Sequence, residues 1–148
     1  KNIHINIETS GHFDFERALP ILSHINSIYF DIKHLDEHQH KKYTGLSNKL
    51  ILNNFEKLNK IFPNIQIRIP LIPGVNDAPN HIKALSEFLI ENGHKLVHLL
   101  PYHSMGNSKA TRIDFPSKIF KVEPHTKEEI TLIKSQFSKF GIKPITYE

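Results

Sequence analysis

The chain has 148 residues, 39% of them hydrophobic and 23% charged, which suits one domain with a buried core and excludes intrinsic disorder. Its 19 Lys and Arg exceed 15 Asp and Glu evenly along the chain, 9 against 7 up to Gly74 and 10 against 8 after it, so no basic stripe marks a nucleic-acid partner. Zero cysteines exclude a disulfide scaffold and any thiolate-held metal within these residues, and no apolar run reaches the roughly 20 residues of a membrane span.

The sequence starts at Lys1 with neither an initiator Met nor a signal peptide, directly on a strand-like run, and reads as a piece of something longer. Ile3, Ile5 and Ile7 alternate with polar residues as a strand does, and Glu8-Thr9-Ser10-Gly11 ends it with turn chemistry. A short helix from about Asp14 puts Ala18, Leu19 and Leu22 on its apolar side, with Pro20 expected to break or bend it. Ser27 to Lys33 is a compact apolar run ending in charge, the pattern of a buried parallel strand. Asn48 stands where it can cap a long helix whose Ile51, Phe55, Leu58 and Phe62 recur at helical spacing, closed by Pro63-Asn64.

Ile65, Ile67, Ile69 and Leu71 alternate in a third strand that ends in Pro73-Gly74. Asn76 or Asp77 caps the next helix, with Ile82, Leu85, Phe88 and Leu89 as its core stripe and Gly93 as its stop. Leu96 to Pro101 is a fourth strand, and a long irregular segment, Tyr102 to Pro124, follows. Thr126 with Glu129 forms a capping box for a last helix that buries Ile130, Ile133, Phe137 and Phe140. After Gly141, Ile142 to Tyr147 adds a final strand.

Alternation of this kind predicts an α/β fold of parallel strands with right-handed crossovers, either a doubly wound sheet or an arc of a barrel, in one domain over residues 1–148. Neither G-x-G-x-x-G nor G-x-x-x-x-G-K-[ST] occurs, so dinucleotide and P-loop phosphate binding are unsupported. The polar residues cluster by position. Glu8-Thr9, then Asp31 and Lys33, then Arg68, then Tyr102-His103 stand on or at the carboxyl ends of successive strands, the edge where such folds bind ligands. Asp31 and Lys33 are two apart and share a face, so they either hold a zwitterion or pair with each other. Arg68 needs a carboxylate or a substrate as partner. His34, His38 and His40 form H-x3-H-x-H, a zinc pattern set against the plainer reading of solvated loop histidines. The remaining histidines, His98 among them, show no ligand spacing.

Five segments then fall in order and at natural spacing: IETSG (7–11), YFDIK (29–33), HKKYTGLSN (40–48), IRIPLIPGVND (67–77) and LLPYHSMGNSK (99–109). Together they resemble the C-terminal part of a glycyl radical enzyme activating enzyme of the pyruvate formate-lyase-activating type, within the radical S-adenosylmethionine superfamily. The resemblance runs essentially from end to end.

It implies a partial (β/α)6 TIM-like barrel of which this chain supplies the later strands, and a parent oxidoreductase that reductively cleaves S-adenosylmethionine to a 5′-deoxyadenosyl radical and installs a glycyl radical on a partner such as pyruvate formate-lyase. The family's C-x3-C-x2-C loop for a [4Fe-4S] cluster and its G-G-E-P motif are absent here, so the chain alone is expected to be inactive and to hold no iron–sulfur ligand. The implied S-adenosylmethionine contacts are Thr9, Asp31, Lys33, Pro70, Leu100 and His103, with Arg68 facing substrate or cofactor. A monovalent cation is implied beside Glu8, Thr9, Tyr29 and Asp31, with Tyr29 offering only its backbone carbonyl. Further expectations are a flavodoxin or ferredoxin reductant, a cytoplasmic location, no nucleic-acid or membrane partner, and an open first-strand edge that pairs with another chain or frays. The segment Tyr102–Pro124 is a cover or docking loop on this reading. The alternatives are a metal-dependent barrel lyase or hydrolase and a non-catalytic α/β interaction module.

Overall fold

The structure, a computed structural model, describes residues 3–103 and 122–146. The stretch from Ser104 to Lys121, which holds most of the expected cover loop, and Tyr147 of the expected last strand lie outside the described residues.

Five strands, β1 (Asn6–Thr9), β2 (Ser27–Asp31), β3 (Ile65–Leu71), β4 (Leu96–Pro101) and β5 (Lys143–Thr146), form one parallel sheet in the order β1-β2-β3-β4-β5. Between them run α1 (Phe15–Leu22), α2 (Glu37–Thr44), α3 (Lys49–Ile61), α4 (Pro79–Glu91) and α5 (Lys127–Lys139). Strand order equal to chain order decides between the two expected architectures. A doubly wound sheet reverses direction once, whereas right-handed crossovers that all step the same way put every connecting helix on one face, as in an arc of a barrel.

That face carries the core. Ile28, Phe30 and Ile32 of the β2 segment, Ile65, Ile67, Ile69 and Leu71 of β3, and Val97 and Leu99 of β4 are buried together with Ile51, Phe55 and Leu58 of α3, Ile82, Leu85 and Leu89 of α4, and Ile133 and Phe137 of α5. The Phe30 and Phe55 rings meet at 5.2 Å across the sheet–helix interface. The strict alternation of burial along β3 means that Gln66, Arg68 and Pro70 belong to the other, concave face.

Local chemistry corrects several expectations. Asp14 does cap α1, accepting from the Arg17 N–H, but Pro20 leaves the helix running to Leu22. It sits so near the end that its missing donor frees little more than one carbonyl. Leu22 faces the core as expected, but Leu19 is exposed and Phe15 takes its place. Asn48 makes no cap bond to α3; its amide donates to the carbonyls of His34 and Leu35. Neither Asn76 nor Asp77 caps α4, whose N-cap position is Ala78. Helix α2 was not expected, because EHQHKKYT has no apolar stripe. Asp36 at its N-cap and Gly45, at φ +82°, after its last turn delimit it. The capping box of Thr126 and Glu129 on α5 is present with both of its bonds.

Candidate functional site

The concave face is built in rows by strand register. Glu8, Tyr29 and Gln66 are neighbours in one row; Asp31, Arg68 and His98 form the next, and Pro70 and Leu100 the row nearest the carboxyl edge. Arg68 is the hub. Its Nε donates to Asp31 Oδ1 at 2.8 Å and its Nη1 to Glu8 Oε1 at 2.9 Å, while its guanidinium stands 5.3 Å from the centroid of the Tyr29 ring. Tyr29 in turn meets the His98 ring edge-on at 6.3 Å.

Burial differs sharply within this group. The side chains of Arg68 and Asp31 are 13% and 19% exposed, that of Glu8 62%. Burial alone would pull the Arg68 guanidinium down, but its hydrogen bonds to Asp31 and Glu8 more than offset this and hold it above its ordinary value. Burial, and then the Arg68 charge, push His98 below its ordinary value, so the imidazole is neutral at pH 7. Two carboxylates against one guanidinium leave the cluster a formal charge of −2 + 1 = −1. Such a surface favours a cation.

Lys33 lies two residues beyond Asp31 and is in no ion pair among the described residues; Asp31 pairs with Arg68, so the two do not pair with each other. The backbone around Lys33 is fixed by buried Asn76, whose amide donates to the carbonyls of Lys33 at 2.9 Å and Pro70 at 2.7 Å while its oxygen accepts from the Ile72 N–H. Asn76 thus ties the carboxyl ends of β2 and β3 together. Beside it lies a cavity of about 370 Å³ lined by Lys33, His40, Tyr43, Thr44, Pro70 and Asn76. His103 is exposed just past β4, at the same sheet edge as Asp31, after a Tyr102 N–H to Leu71 carbonyl bond that prolongs the β3–β4 pairing.

Glu8, Asp31 and Arg68 are therefore in direct contact, with Lys33, Pro70, Leu100 and His103 along the same edge. Thr9 does not join them by its side chain. Register aligns it with Phe30 and Ile67 on the helix-covered face, and its hydroxyl accepts from the Gly11 N–H at 3.0 Å. The sequence reading missed His98 on the concave face, although counting in twos back from Leu100 along β4 would have found it. It also missed Asn76 and Asn54, for which the sequence carries no local signal. Asn54 is fully buried and donates to the carbonyls of Gly11 and Phe13, which anchors the turn after β1.

The zinc pattern fails, and so does its plainer alternative for two of the three residues. His34 and His40 are buried. The Asp36 N–H donates to His34 Nδ1, whose ring stacks on His81 at 3.9 Å, and His40 Nδ1 donates to the Leu46 carbonyl. These nitrogens are occupied by structural bonds, and no group of three or more metal-ligating side chains occurs among the described residues. The donor set a metal hydrolase needs is not assembled there.

Residues 1–89 match the Radical SAM superfamily. The trans-4-hydroxy-L-proline dehydratase activating enzyme of Clostridioides difficile is 37% identical over 97% of this chain and 49% of its own length. The 4-hydroxyphenylacetate decarboxylase activating enzyme of Clostridioides difficile strain 630 is 38% identical over 76% of this chain and 36% of its own. The chain thus spans about half the length, or less, of these curated relatives. In fold, it is similar to a crystallised domain of pyruvate-formate lyase-activating enzyme from Bacteroides vulgatus ATCC 8482, with a TM-score of 0.78, 24% identity, and coverage of 99% of this chain and 82% of that one.

Proposed function

We propose a function from one premise: this chain belongs to the radical SAM superfamily. Its curated relatives are glycyl radical enzyme activating enzymes. On our reading, the chain is the C-terminal part of the radical SAM core of such an activase, a single domain over residues 1–148. The observation that carries the reading is the Glu8–Arg68–Asp31 cluster with Lys33 beyond it on one sheet edge.

S-adenosylmethionine bears a carboxylate, an ammonium and a sulfonium, and this edge complements them. The net negative cluster favours the cationic groups, and the Lys33 ammonium, in no ion pair among the described residues, favours the carboxylate. Pro70 and Leu100 offer an apolar floor for the adenosyl group, and His103 stands at its rim as a hydrogen-bonding partner. Neutral His98 adds no positive charge that would oppose the sulfonium. For a monovalent cation, the carboxylates of Glu8 and Asp31 and the backbone carbonyls of Thr9 and Tyr29 are the proposed ligands, since the Thr9 hydroxyl is engaged elsewhere.

With no cysteine, the chain cannot itself hold a [4Fe-4S] cluster. Bound in the complete enzyme and cleaved by one electron to methionine and a 5′-deoxyadenosyl radical, S-adenosylmethionine would supply the group that abstracts a hydrogen atom from a backbone glycine of the partner. The residues of this chain orient the nucleotide and exclude water around it. The proposed partner is a glycyl radical enzyme, of the pyruvate formate-lyase type or of the types named for the relatives. A flavodoxin or ferredoxin is the proposed reductant, and the cytoplasm the proposed location. No helix among the described residues is long and apolar enough to cross a membrane. Among the described residues no strand pairs with the outer edge of β1, and a second copy of the chain is the proposed partner for it.

The test uses the complete protein, reconstituted without oxygen and given S-adenosylmethionine and a chemical reductant. Release of 5′-deoxyadenosine, its loss in Asp31→Asn and Lys33→Ala, and a glycyl radical signal on one member of a partner panel are expected. A reduced protein that releases no 5′-deoxyadenosine overturns the reading.

A further inference from the structure

On the helix-covered side of the sheet, the carboxyl ends of β4 and β5 meet the first turns of α5 around a second cavity of about 470 Å³. Register sets Pro101 beside Leu71 and Thr146 beside Leu99, both on the face opposite Arg68, and none of the concave-face cluster lines this space. From α5 come Lys127, Ile130 and Lys134, spaced i, i+3 and i+7 on one helical face.

Three features mark the cavity as built for an occupant. Neither Lys127 nor Lys134 is ion-paired among the described residues, and Lys134 Nζ reaches only the Thr146 hydroxyl, at 3.4 Å. The nearby carboxylate of Glu129 is committed to its own helix cap, and neither it nor Glu128 lines the space. The helix terminus adds its own partial positive charge.

The third feature is His125, whose side chain is 4% exposed. Its Nε2–H donates to Asp77 Oδ2 at 2.9 Å, and Asp77 is itself held by the Gly74 N–H. A carboxylate only accepts, so this bond fixes the tautomer and leaves Nδ1 as the ring's second polar atom. Nδ1 is buried and has no partner among the described residues. A buried polar atom left unpaired is costly, and a ligand that pairs with it recovers that cost.

We propose that this cavity is a second ligand site, separate from the concave-face cluster, for a small organic anion with an apolar body, such as a phosphomonoester. Lys127 and Lys134 receive the anionic end, the Thr146 hydroxyl donates to it, Pro101 and Ile130 pack against the body, and His125 Nδ1 accepts from a ligand hydroxyl, such as the P–OH of a phosphomonoester monoanion. The volume suits a ligand larger than a bare phosphate. The proposal does not depend on the function given above.

The test follows the His125 ring resonances by NMR while phenyl phosphate is titrated into the full chain, with phenol and inorganic phosphate as comparison probes. A saturable shift with phenyl phosphate is expected, with binding about tenfold weaker for either comparison probe and for the Lys127→Ala/Lys134→Ala variant. The unfolding midpoint of that variant, whose lysines make no ion pair among the described residues, should match the wild type. Asp31→Asn should bind phenyl phosphate as the wild type does. Absence of a saturable shift, an equal response from phenol or phosphate, equal binding by the lysine variant, or loss of binding in Asp31→Asn each overturns the proposal.

Discussion

The unequal burial around Arg68 gives a quantitative prediction. Both of its carboxylate partners lie at hydrogen-bonding distance, 2.8 Å to Asp31 and 2.9 Å to Glu8, so distance alone ranks them as equals. Solvent does not. Asp31, 19% exposed, regains only part of its hydration when the guanidinium is lost, whereas Glu8, at 62%, turns outward at little cost. A charge-assisted bond inside the protein contributes about 2 kcal/mol net, and an exposed pair about 0.5 kcal/mol. Arg68→Met keeps the stem over Tyr29 and removes both pairs, for an expected loss of about 2.5 kcal/mol, near 7 °C in Tm for a domain of this size. Double-mutant cycles by urea denaturation, Arg68→Met against Asp31→Asn and against Glu8→Gln, should return couplings of about 2 and about 0.5 kcal/mol respectively. Equal couplings, or the reverse order, would refute the claim that exposure and not distance sets these energies.

Three further substitutions probe the scaffold. His81 has its pKa lowered to about 4 by burial and then by the neighbouring His34, so it is neutral in the folded chain down to that pH. Above about pH 6.5 the ring is neutral in both states and its contribution is constant. As pH falls from there towards 4 the unfolded chain takes the proton first, and about 2 kcal/mol of stability is lost after allowance for solvent screening. Urea midpoints against pH should be flatter in His81→Phe, with a residual slope from His34, which burial also lowers; an unchanged slope counts against the assignment. Asn54→Ala strips hydrogen bonds from the Gly11 and Phe13 carbonyls and should cost about 2 kcal/mol by chemical denaturation, while a neutral result would mean that the turn after β1 is held by other contacts. Gly11→Ala places a methyl on the Phe30 ring at φ +80° and should cost about 3 kcal/mol, with the steric share recovered in Gly11→Ala/Phe30→Leu and not otherwise.

What the sequence made legible is what short-range periodicity encodes. Ile65 to Leu71 alternate because one face of β3 meets helices and the other the concavity, and the same rule places Arg68 and Pro70 together. Thr126 and Glu129 read as a capping box because both halves of that motif lie within four residues. The side chain of Thr9 follows the same rule. It adjoins Glu8, and adjacency in a strand means opposite faces, so only one of the two side chains can enter the cluster. Asn54, Asn76 and Asn48 act over separations from 6 to 43 residues, as buried amides that satisfy carbonyls of loops and strand ends, and no local pattern foretells which carbonyls those will be. Helix α2 escaped because its caps, not its polar face, define it.

The sheet order gives Arg68 a second consequence. β1 is an edge strand, and Glu8 is the outermost member of the row that the guanidinium bridges. On the proposed function, the longer protein adds strands beside β1, and that addition covers Glu8. Water then screens the Glu8–Arg68 pair less, and a carboxylate that turned outward freely in this chain loses that escape. The Arg68–Glu8 coupling should therefore rise from about 0.5 kcal/mol here to about 2 kcal/mol in the complete protein, while the Arg68–Asp31 coupling, already buried, stays near its value. The same two cycles run on both proteins measure this directly. A Glu8 coupling that does not change on lengthening the chain would mean that the added residues do not continue the sheet past β1, and the barrel would have to close elsewhere.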